Sequence, residues 1–185
     1  YRDLVGNALV GVYKTNLKGE ILYINEALLK MLEFDTVEEL MANGALTRYK
    51  NPKDREVLIE NLKRTGRVTN FEVEFITKTG KPKNMLLSAT LVGDQLSGMV
   101  IDITDRKQTE EALQVTYHFL EIANRHREMS SLLKEFVAEV KKLTGCNAVG
   151  IRILDKEGNI PYQAYEGFSR RFYESESPLS IKSDQ

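Results

Sequence analysis

The chain has 185 residues, 42% of them hydrophobic and 29% charged, which is ordinary for a globular protein. Its 26 basic and 27 acidic residues nearly cancel, which removes a broad electrostatic argument for binding nucleic acid or an anionic membrane. No apolar run approaches the roughly 20 residues that span a bilayer. One cysteine and two histidines exclude an internal disulfide and leave little for metal binding or base catalysis. The opening at Tyr1, without Met, suggests a segment of a longer protein.

The first part of the chain alternates between strand and helix patterns. Leu9 to Thr15 alternates as a strand does, and Glu20 to Ile24 follows it after a short turn, which predicts a hairpin. Asn25 to Leu32 then changes to helical spacing. The sequence therefore predicts two strands followed by a helix.

Two further helix starts are marked by their capping residues. Thr36 precedes Glu39 by three positions, which is a capping box whose hydroxyl and carboxylate satisfy free backbone N–H groups. Asn51 before Pro52 predicts another helix, which ends at Gly66.

Three strands follow, separated by turns at glycine. The residues 71–75 alternate strictly, 85–91 repeat the alternation, and 96–103 form the last strand. Two groups of strands around a helical insert predict an α+β fold, with a five-stranded antiparallel sheet and helices over one face.

This order resembles a PAS domain over residues 1–107. The run from Gly11 to Asn25 resembles the strand, turn, strand and Asn with which PAS modules start, with Asn16 making the turn bond usually made by Asp. The run Asp102-Ile103-Thr104-Asp105 resembles the junction that ends many PAS domains and begins a signalling helix. We expect Thr104 to cap that helix by accepting a bond from a free N–H, with both aspartates near its positive end.

The resemblance implies a small-molecule pocket between the inner sheet face and the helices. Seven residues are candidates to line it, although each could equally be ordinary core: Tyr23, Asn25, Tyr49, Leu58, Phe75, Leu87 and Met99. Residues 1–107 contain no His and no Cys, which disfavours His-ligated haem and a cysteinyl-flavin. The ligand is otherwise unknown, and a non-covalent flavin or an organic acid stays open.

A connector without Gly or Pro runs from Asp105 to Thr144. Apolar residues spaced alternately three and four apart predict one helix of about 60 Å that pairs as a parallel homodimer. The seam comprises Ala112, Val115, Phe119, Ile122, His126, Met129 and Leu133, and continues through Phe136, Val140 and Leu143. The flanking positions lack a charge ladder, so a bundle, or burial of the second half against its own following domain, stays open.

His126 is the polar residue of that seam. We interpret it as a tolerated histidine at the edge of the core, with a register-setting polar residue as the sharper alternative. A phosphoacceptor role is a third interpretation. It is disfavoured because the acidic residue does not follow directly and the usual proline is missing.

The last sixty residues resemble the opening of a GAF domain, in a helix followed by Gly145 to Leu154, a turn, and 160–168. The remaining chain is too short for a whole GAF domain. Cys146, at the transition from helix to strand, is interpreted as a structural thiol. The predicted organisation is a PAS domain at 1–104, a linker helix at 105–128 and the first part of a GAF domain at 129–185.

Together these features predict a cytoplasmic sensory and relay segment without catalytic residues or a metal site. We expect a homodimer whose PAS domain senses a small molecule or partner and signals to an output domain in cis, most simply a histidine kinase. Alternatives are a ligand-free dimerisation scaffold and the sensor segment of a cyclic-dinucleotide enzyme.

Overall fold

The computed structural model describes residues 10–176 and 179–180. Its contacts divide the chain after Glu110 into two compact units, residues 1–110 and 111–185. The division falls inside a helix. The domain boundaries expected from the sequence, at 104/105 and 128/129, therefore stay predictions.

The first unit is built on one antiparallel sheet with the strand order β2-β1-β5-β4-β3. This confirms the predicted five-stranded sheet. The predicted start of the first strand, Leu9, lies outside the described residues. The strands are β1 (Val10–Asn16), β2 (Ile21–Ile24), β3 (Arg67–Ile76), β4 (Pro82–Val92) and β5 (Gln95–Asp102).

Helices connect β2 to β3, as the pattern predicts. They are α1 (Glu26–Met31), α2 (Val37–Asn43), a 3-10 turn (Leu46–Arg48) and α3 (Pro52–Thr65). Gly66 ends α3 with a φ of 71°, a left-handed conformation that costs glycine little.

The capping signals largely hold. The Asn51 side chain accepts from Lys53 N–H, and Thr36 Oγ1 accepts from Glu39 N–H at 3.2 Å. The second half of the predicted capping box is wrong, because the Glu39 carboxylate pairs with Lys78 Nζ at 3.0 Å. An ion pair across the fold has replaced the local bond.

The core lies between the inner sheet face and the helices. Leu58 and Leu62 of α3 and Met85 and Leu96 of the sheet have no exposed surface. Burying one such side chain contributes about 2 kcal/mol. The side chains of β1 and α3 that belong to this core are the ones that point toward the space between sheet and helices.

The chain leaves β5 through α4 (Thr104–Arg125) and continues in α5 (Met129–Thr144). The expectation of one helix from 105 to 144 is wrong, because the helix stops at Arg125 and Glu128 has an extended backbone with φ −103° and ψ 128°. Neither Gly nor Pro marks this break, so the sequence carries no stop signal for it.

Side chains of α4 and α5 pair in antiparallel order. His118 Nε2 lies 3.1 Å from Glu139 Oε2, the rings of Phe119 and Phe136 are 5.0 Å apart, and His126 contacts Glu135. In one continuous helix, the first pair would be separated by about 30 Å. The two helices therefore form an αα-hairpin.

The hairpin uses part of the predicted dimer seam within one chain. Ile122 is completely buried, Phe119, His126 and Leu133 are half-buried, and Ala112, Val115 and Met129 are exposed. The single continuous seam is thus corrected, because the middle of the apolar stripe is covered when the two helices fold back onto each other. The predicted homodimer stays a prediction. His126 sits beside a carboxylate of its own chain.

The rest of the second unit is a small α+β assembly. The strands β6 (Val149–Arg152) and β7 (Tyr162–Glu166) pair antiparallel, and the helix α6 (Arg170–Glu176) follows. Aromatic rings cluster beside them, with Tyr165 and Tyr173 stacked at 4.5 Å. The GAF resemblance of this region stays a prediction.

Candidate ligand site and signal junction

A small cavity of about 40 Å³ lies inside the first unit, beside β1 and β2 and under the helices. Its wall is mainly apolar, with Ile24, Leu28, Leu40 and Phe75 among the lining residues. Five polar side chains also line it: Tyr13, Thr15, Arg48, Tyr49 and Arg55. An apolar cavity with a few polar groups is the usual form of a small-molecule site.

Two hydroxyls in this wall lack partners. Tyr13 is 9% exposed and Thr15 2% exposed, and both point to the same side because alternate residues of a strand share a face. Tyr13 Oη and Thr15 Oγ1 are buried without a hydrogen-bond partner among the residues that the structure describes. Leaving a buried hydroxyl unpaired costs about 1–3 kcal/mol, so such a pair calls for an explanation.

Gly98 makes room for the Tyr13 ring. The two residues are register partners on β1 and β5. A Cβ on Gly98 would lie 2.7 Å from Tyr13 Cζ and Oη and 2.7 Å from the Ser88 carbonyl oxygen. No real Cβ approaches backbone so closely, so glycine is what lets this tyrosine lie across the sheet beside the cavity.

Arg55 is a buried residue of the same cavity wall. It is 6% exposed, donates to the Asn16 carbonyl at 3.3 Å, and its guanidinium lies 5.8 Å from the centroid of the Tyr49 ring. Burial raises the pKa of Tyr49, against the lowering effect of Arg55, and burial likewise raises the pKa of Tyr13. Both phenols therefore stay protonated at neutral pH and can donate.

Two of the seven predicted pocket residues line this cavity. Tyr49 and Phe75 do so, in an edge-to-face contact with their centroids 4.8 Å apart. Leu58 and Leu87 lie in the core but not in the cavity wall. Asn25 is buried outside the wall, where its side chain holds β1 to the start of α1.

Tyr23 and Met99 are wrong as pocket candidates. They are 48% and 54% exposed, because each lies one residue from an inward-facing neighbour, Ile24 and Val100 respectively. In a strand, a shift by one residue changes the face.

The sequence reasoning missed Tyr13, Thr15, Arg48 and Arg55. A signal for Arg55 was present, since it precedes Leu58 by three positions and Leu62 by seven, the spacing of one helix face. Tyr13 and Thr15 were likewise within a strand whose alternation was recognised. The helical spacing and the strand alternation thus both predict that these polar side chains lie on a buried face.

The junction from β5 to α4 is tied to the neighbouring strand. The Ile103 N–H donates to the Asn84 carbonyl at 2.8 Å, and the Asn84 N–H donates to Thr104 Oγ1 at 3.0 Å. The expected capping of the helix by Thr104 is therefore wrong: its hydroxyl accepts from β4. Asp102 Oδ1 accepts from Thr104 N–H at 3.0 Å, so Asp102 takes the capping role.

Ion pairs add to this junction. Asp102 pairs with Lys83 Nζ of β4 at 3.0 Å, and Glu72 of β3 contacts Lys107 at 2.6 Å and Arg106 at 3.6 Å. Asp105 lies in the first turn of α4, where its charge is favourable. The start of α4 is thus joined to β3 by ion pairs and to β4 by a hydrogen bond.

Asp102 is expected to make the junction sensitive to acid. Burial opposes its ionisation, but hydrogen bonds from Thr104 and Lys83 outweigh this and lower its pKa. A lowered pKa contributes stability that is present above about pH 4 and is lost as the pH falls further. In urea unfolding between pH 6 and pH 3, Asp102→Asn should lose less stability than wild type, by up to about 1 kcal/mol because the pair is partly exposed.

The comparison with wild type isolates this carboxylate from others that titrate in the same range. Asp105→Asn is the matched control. Asp105 lies three residues after Asp102, is exposed, and pairs with no cation in the described part of the molecule. Parallel pH dependences for wild type and Asp102→Asn would show that the Asp102 bonds do not stabilise the junction.

No helix among the described residues is long and apolar enough to cross a membrane. No group of three or more His, Cys, Asp or Glu side chains in that part of the chain is arranged to hold a metal ion.

Several solved structures are similar to part of this chain. A domain of a sensory box sensor histidine kinase/response regulator from Geobacter sulfurreducens is 20% identical, with a TM-score of 0.47, and the match covers 55% of this chain and 90% of that chain. A sensory box histidine kinase/response regulator from Burkholderia thailandensis E264 is 23% identical, with a TM-score of 0.49, covering 65% and 96%.

An RNA-binding light-oxygen-voltage receptor is 16% identical, with a TM-score of 0.51, over 63% of this chain and 36% of that chain. At 16% identity, this last likeness shows the fold alone. No curated protein matches the chain. A comparison with protein families matches residues 9–105, more than half of the sequence, to the PAS domain. With the predicted sheet and junction in place over the same residues, the chain belongs to the PAS domain family.

Proposed function

We propose that this chain is a sensory and relay segment of a multidomain signalling protein, in which the PAS domain binds a small molecule in the cavity beside β1. One observation carries the proposal: Tyr13 and Thr15 are residues of the cavity wall, and their buried hydroxyls have no hydrogen-bond partner among the described residues. A fold selected only for stability would replace them with apolar groups, because buried unpaired polar atoms are costly. Local violations of this kind are typical of functional sites.

The route of the signal follows from the junction. A ligand that hydrogen-bonds to Tyr13 and Thr15 acts directly on β1, which pairs with β5 along its whole length. The strand β5 continues into α4, whose start is joined to Asn84 of β4. Ligand binding then shifts the equilibrium between two arrangements of this junction by its difference in affinity for them.

The wider context of the segment belongs to the same proposal. The parent is a cytoplasmic sensor histidine kinase with an output domain in cis, and residues 129–185 are the first part of a GAF domain. This is supported by the PAS family and by the resemblance of the sequence after Gly145. A homodimer would form through exposed apolar residues of α4, of which Leu113, Val115, Tyr117 and Leu120 are 40% to 64% exposed.

Two other functions are the alternatives to this proposal. A cyclic-dinucleotide enzyme would use the same sensor with a different output domain. A dimerisation scaffold without a ligand would have no reason to keep unpaired hydroxyls in its core.

Replacing Thr15 with Val tests the ligand site. The two side chains have nearly the same shape, so the substitution removes an unpaired hydroxyl without opening a void. We expect the free energy of unfolding of the ligand-free protein to rise by about 1 kcal/mol. Urea denaturation followed by circular dichroism measures it.

Thr77 provides the matched control. It is 1% exposed, but its Oγ1 lies 3.0 Å from Thr79 Oγ1 and accepts from Lys81 N–H at 3.1 Å. Thr77→Val should therefore destabilise the protein by about 1–2 kcal/mol. Destabilisation by Thr15→Val of the same size as by Thr77→Val would contradict the proposed site, since the Thr15 hydroxyl would then have a partner within the folded protein.

A further inference from the structure

We infer that the ligand of this cavity is a small monocarboxylate, held by the Arg55 guanidinium and the hydroxyls of Tyr13 and Thr15. The inference rests on the proposed ligand-binding function and adds the charge and size of the ligand.

The first step is the charge of Arg55. Its guanidinium is always charged and carries five N–H donors, and the residue is 6% exposed. Its partners are neutral: the Asn16 carbonyl and the hydroxyl and ring of Tyr49. No carboxylate among the described residues pairs with it, and the neighbouring Asp54 is bonded to Asn51 instead.

A buried cation without an anion is an expensive arrangement. Buried charges are normally paired, and removing the partner of such a pair costs several kcal/mol. A ligand that supplies a carboxylate would complete the pair, in the two-pronged geometry that guanidinium and carboxylate share. Arg55 lines the cavity, so a carboxylate bound there would be within reach of its guanidinium.

The second step is the balance of donors and acceptors. Every polar side chain in the cavity wall can donate a hydrogen bond, and none is a carboxylate or an amide. The remaining cation, Arg48, is half-buried, donates to the Ile76 carbonyl at 3.3 Å and lies 5.1 Å from the centroid of the Phe34 ring. Such a wall suits an acceptor-rich anion and repels a cation.

The third step is size. A volume of about 40 Å³ accommodates about three water-sized groups, at roughly 10–15 Å³ each. This suits a carboxylate with one or two further carbons, and it is far too small for a flavin ring system. The apolar side chains of Ile24, Leu28 and Phe75 would contact the short alkyl part, which a phosphate or sulfate lacks.

Calorimetric titration of the full chain tests the inference. The probes are sodium acetate and sodium propionate, with propionamide as the neutral analogue of equal shape and sodium phosphate as the other anion, all at constant ionic strength set with chloride. We expect wild type to bind propionate at least tenfold more tightly than propionamide and than phosphate.

Variants assign the preference to Arg55. Arg55→Met keeps the length of the side chain without its charge, and it should weaken propionate binding at least tenfold while leaving propionamide binding within twofold. Arg64→Met is the matched control on the exposed side of the same helix, where Arg64 donates to Asn61, and should change neither. If Arg55→Met does not fold, Thr15→Val serves in its place and should weaken propionate binding by about threefold to tenfold.

Each other outcome overturns the inference. Equal binding of propionamide and propionate, or tighter binding of phosphate, would show that Arg55 does not select a carboxylate, while the ligand-binding function would stand. Absence of binding by all four probes would also remove the small monocarboxylate. The stability of Thr15→Val distinguishes this from failure of the proposed function, since only a destabilised Thr15→Val contradicts the site itself.

Discussion

Replacing Asn25 with Ala is expected to lower the free energy of unfolding of the PAS domain by about 3 kcal/mol. The Asn25 side chain accepts from Val12 N–H at 2.8 Å and from Leu28 N–H at 3.1 Å, and donates to the Val10 carbonyl at 3.0 Å. It is 5% exposed, so alanine would leave three backbone groups without their partner in a place where water replaces it poorly. Urea unfolding measures the loss, and amide exchange of Val12 reports it locally.

Asn51 is the matched control, because it is also an Asn at a helix N-cap. It is exposed and its Oδ1 accepts one bond, from Lys53 N–H at 3.2 Å, so Asn51→Ala should cost only about 1 kcal/mol. Asn25→Asp keeps the acceptor and loses the donor, and should fall between the two. Equal losses for Asn25→Ala and Asn51→Ala would show that the bonds from Asn25 to β1 contribute nothing beyond an ordinary cap.

The sheet and the caps were predictable because their signals are local. Alternation at Phe71, Val73 and Phe75 predicts a strand with one buried face. In the structure Val73 and Phe75 are buried and Phe71 is half-buried. Asn51-Pro52 and Gly66 predict the limits of α3 for reasons confined to a few residues. Interactions between neighbours in sequence need no knowledge of the fold.

The lining of the cavity was only partly predictable because it depends on the face that each strand presents. The strand β2 reads Ile-Leu-Tyr-Ile, so every position is apolar and the alternation that would orient Tyr23 is missing. Its inward residue is known only once the register with β1 pairs Tyr13 with Ile24. Arg55 was missed because a charged residue is normally assigned to the exposed face of a helix.

The connector shows a different limit. A heptad pattern indicates which face of a helix is apolar. It does not indicate whether that face packs against a second chain or against a later part of the same chain. The link 126–128 contains no Gly or Pro, so the reversal rests on tertiary contacts such as Phe119 with Phe136. Contacts of this kind have no signature in the local sequence.

A distance measurement across the connector should separate these two arrangements by a wide margin. Spin labels at Gln114→Cys and Lys142→Cys, in a Cys146→Ser background, lie on exposed positions of α4 and α5. In one continuous helix these residues would be about 42 Å apart. Helices packed side by side generally have axes about 10 Å apart, so for the antiparallel hairpin we expect a label distance below about 25 Å. Pulsed dipolar spectroscopy measures it, with labelled protein diluted in unlabelled protein to suppress distances between chains.

Labels at Ser130→Cys and Lys142→Cys are the control, because both lie on α5 and should be separated by about 18 Å in either arrangement. A principal distance near 42 Å in the first pair would restore the long coiled-coil rod and release its whole seam for a partner chain. A short distance would limit the continuous relay helix to the 22 residues of α4, about 33 Å. Under the proposed relay function, α4 would then act on α5 through their packing, where Phe119, Ile122 and the two histidine–glutamate pairs lie.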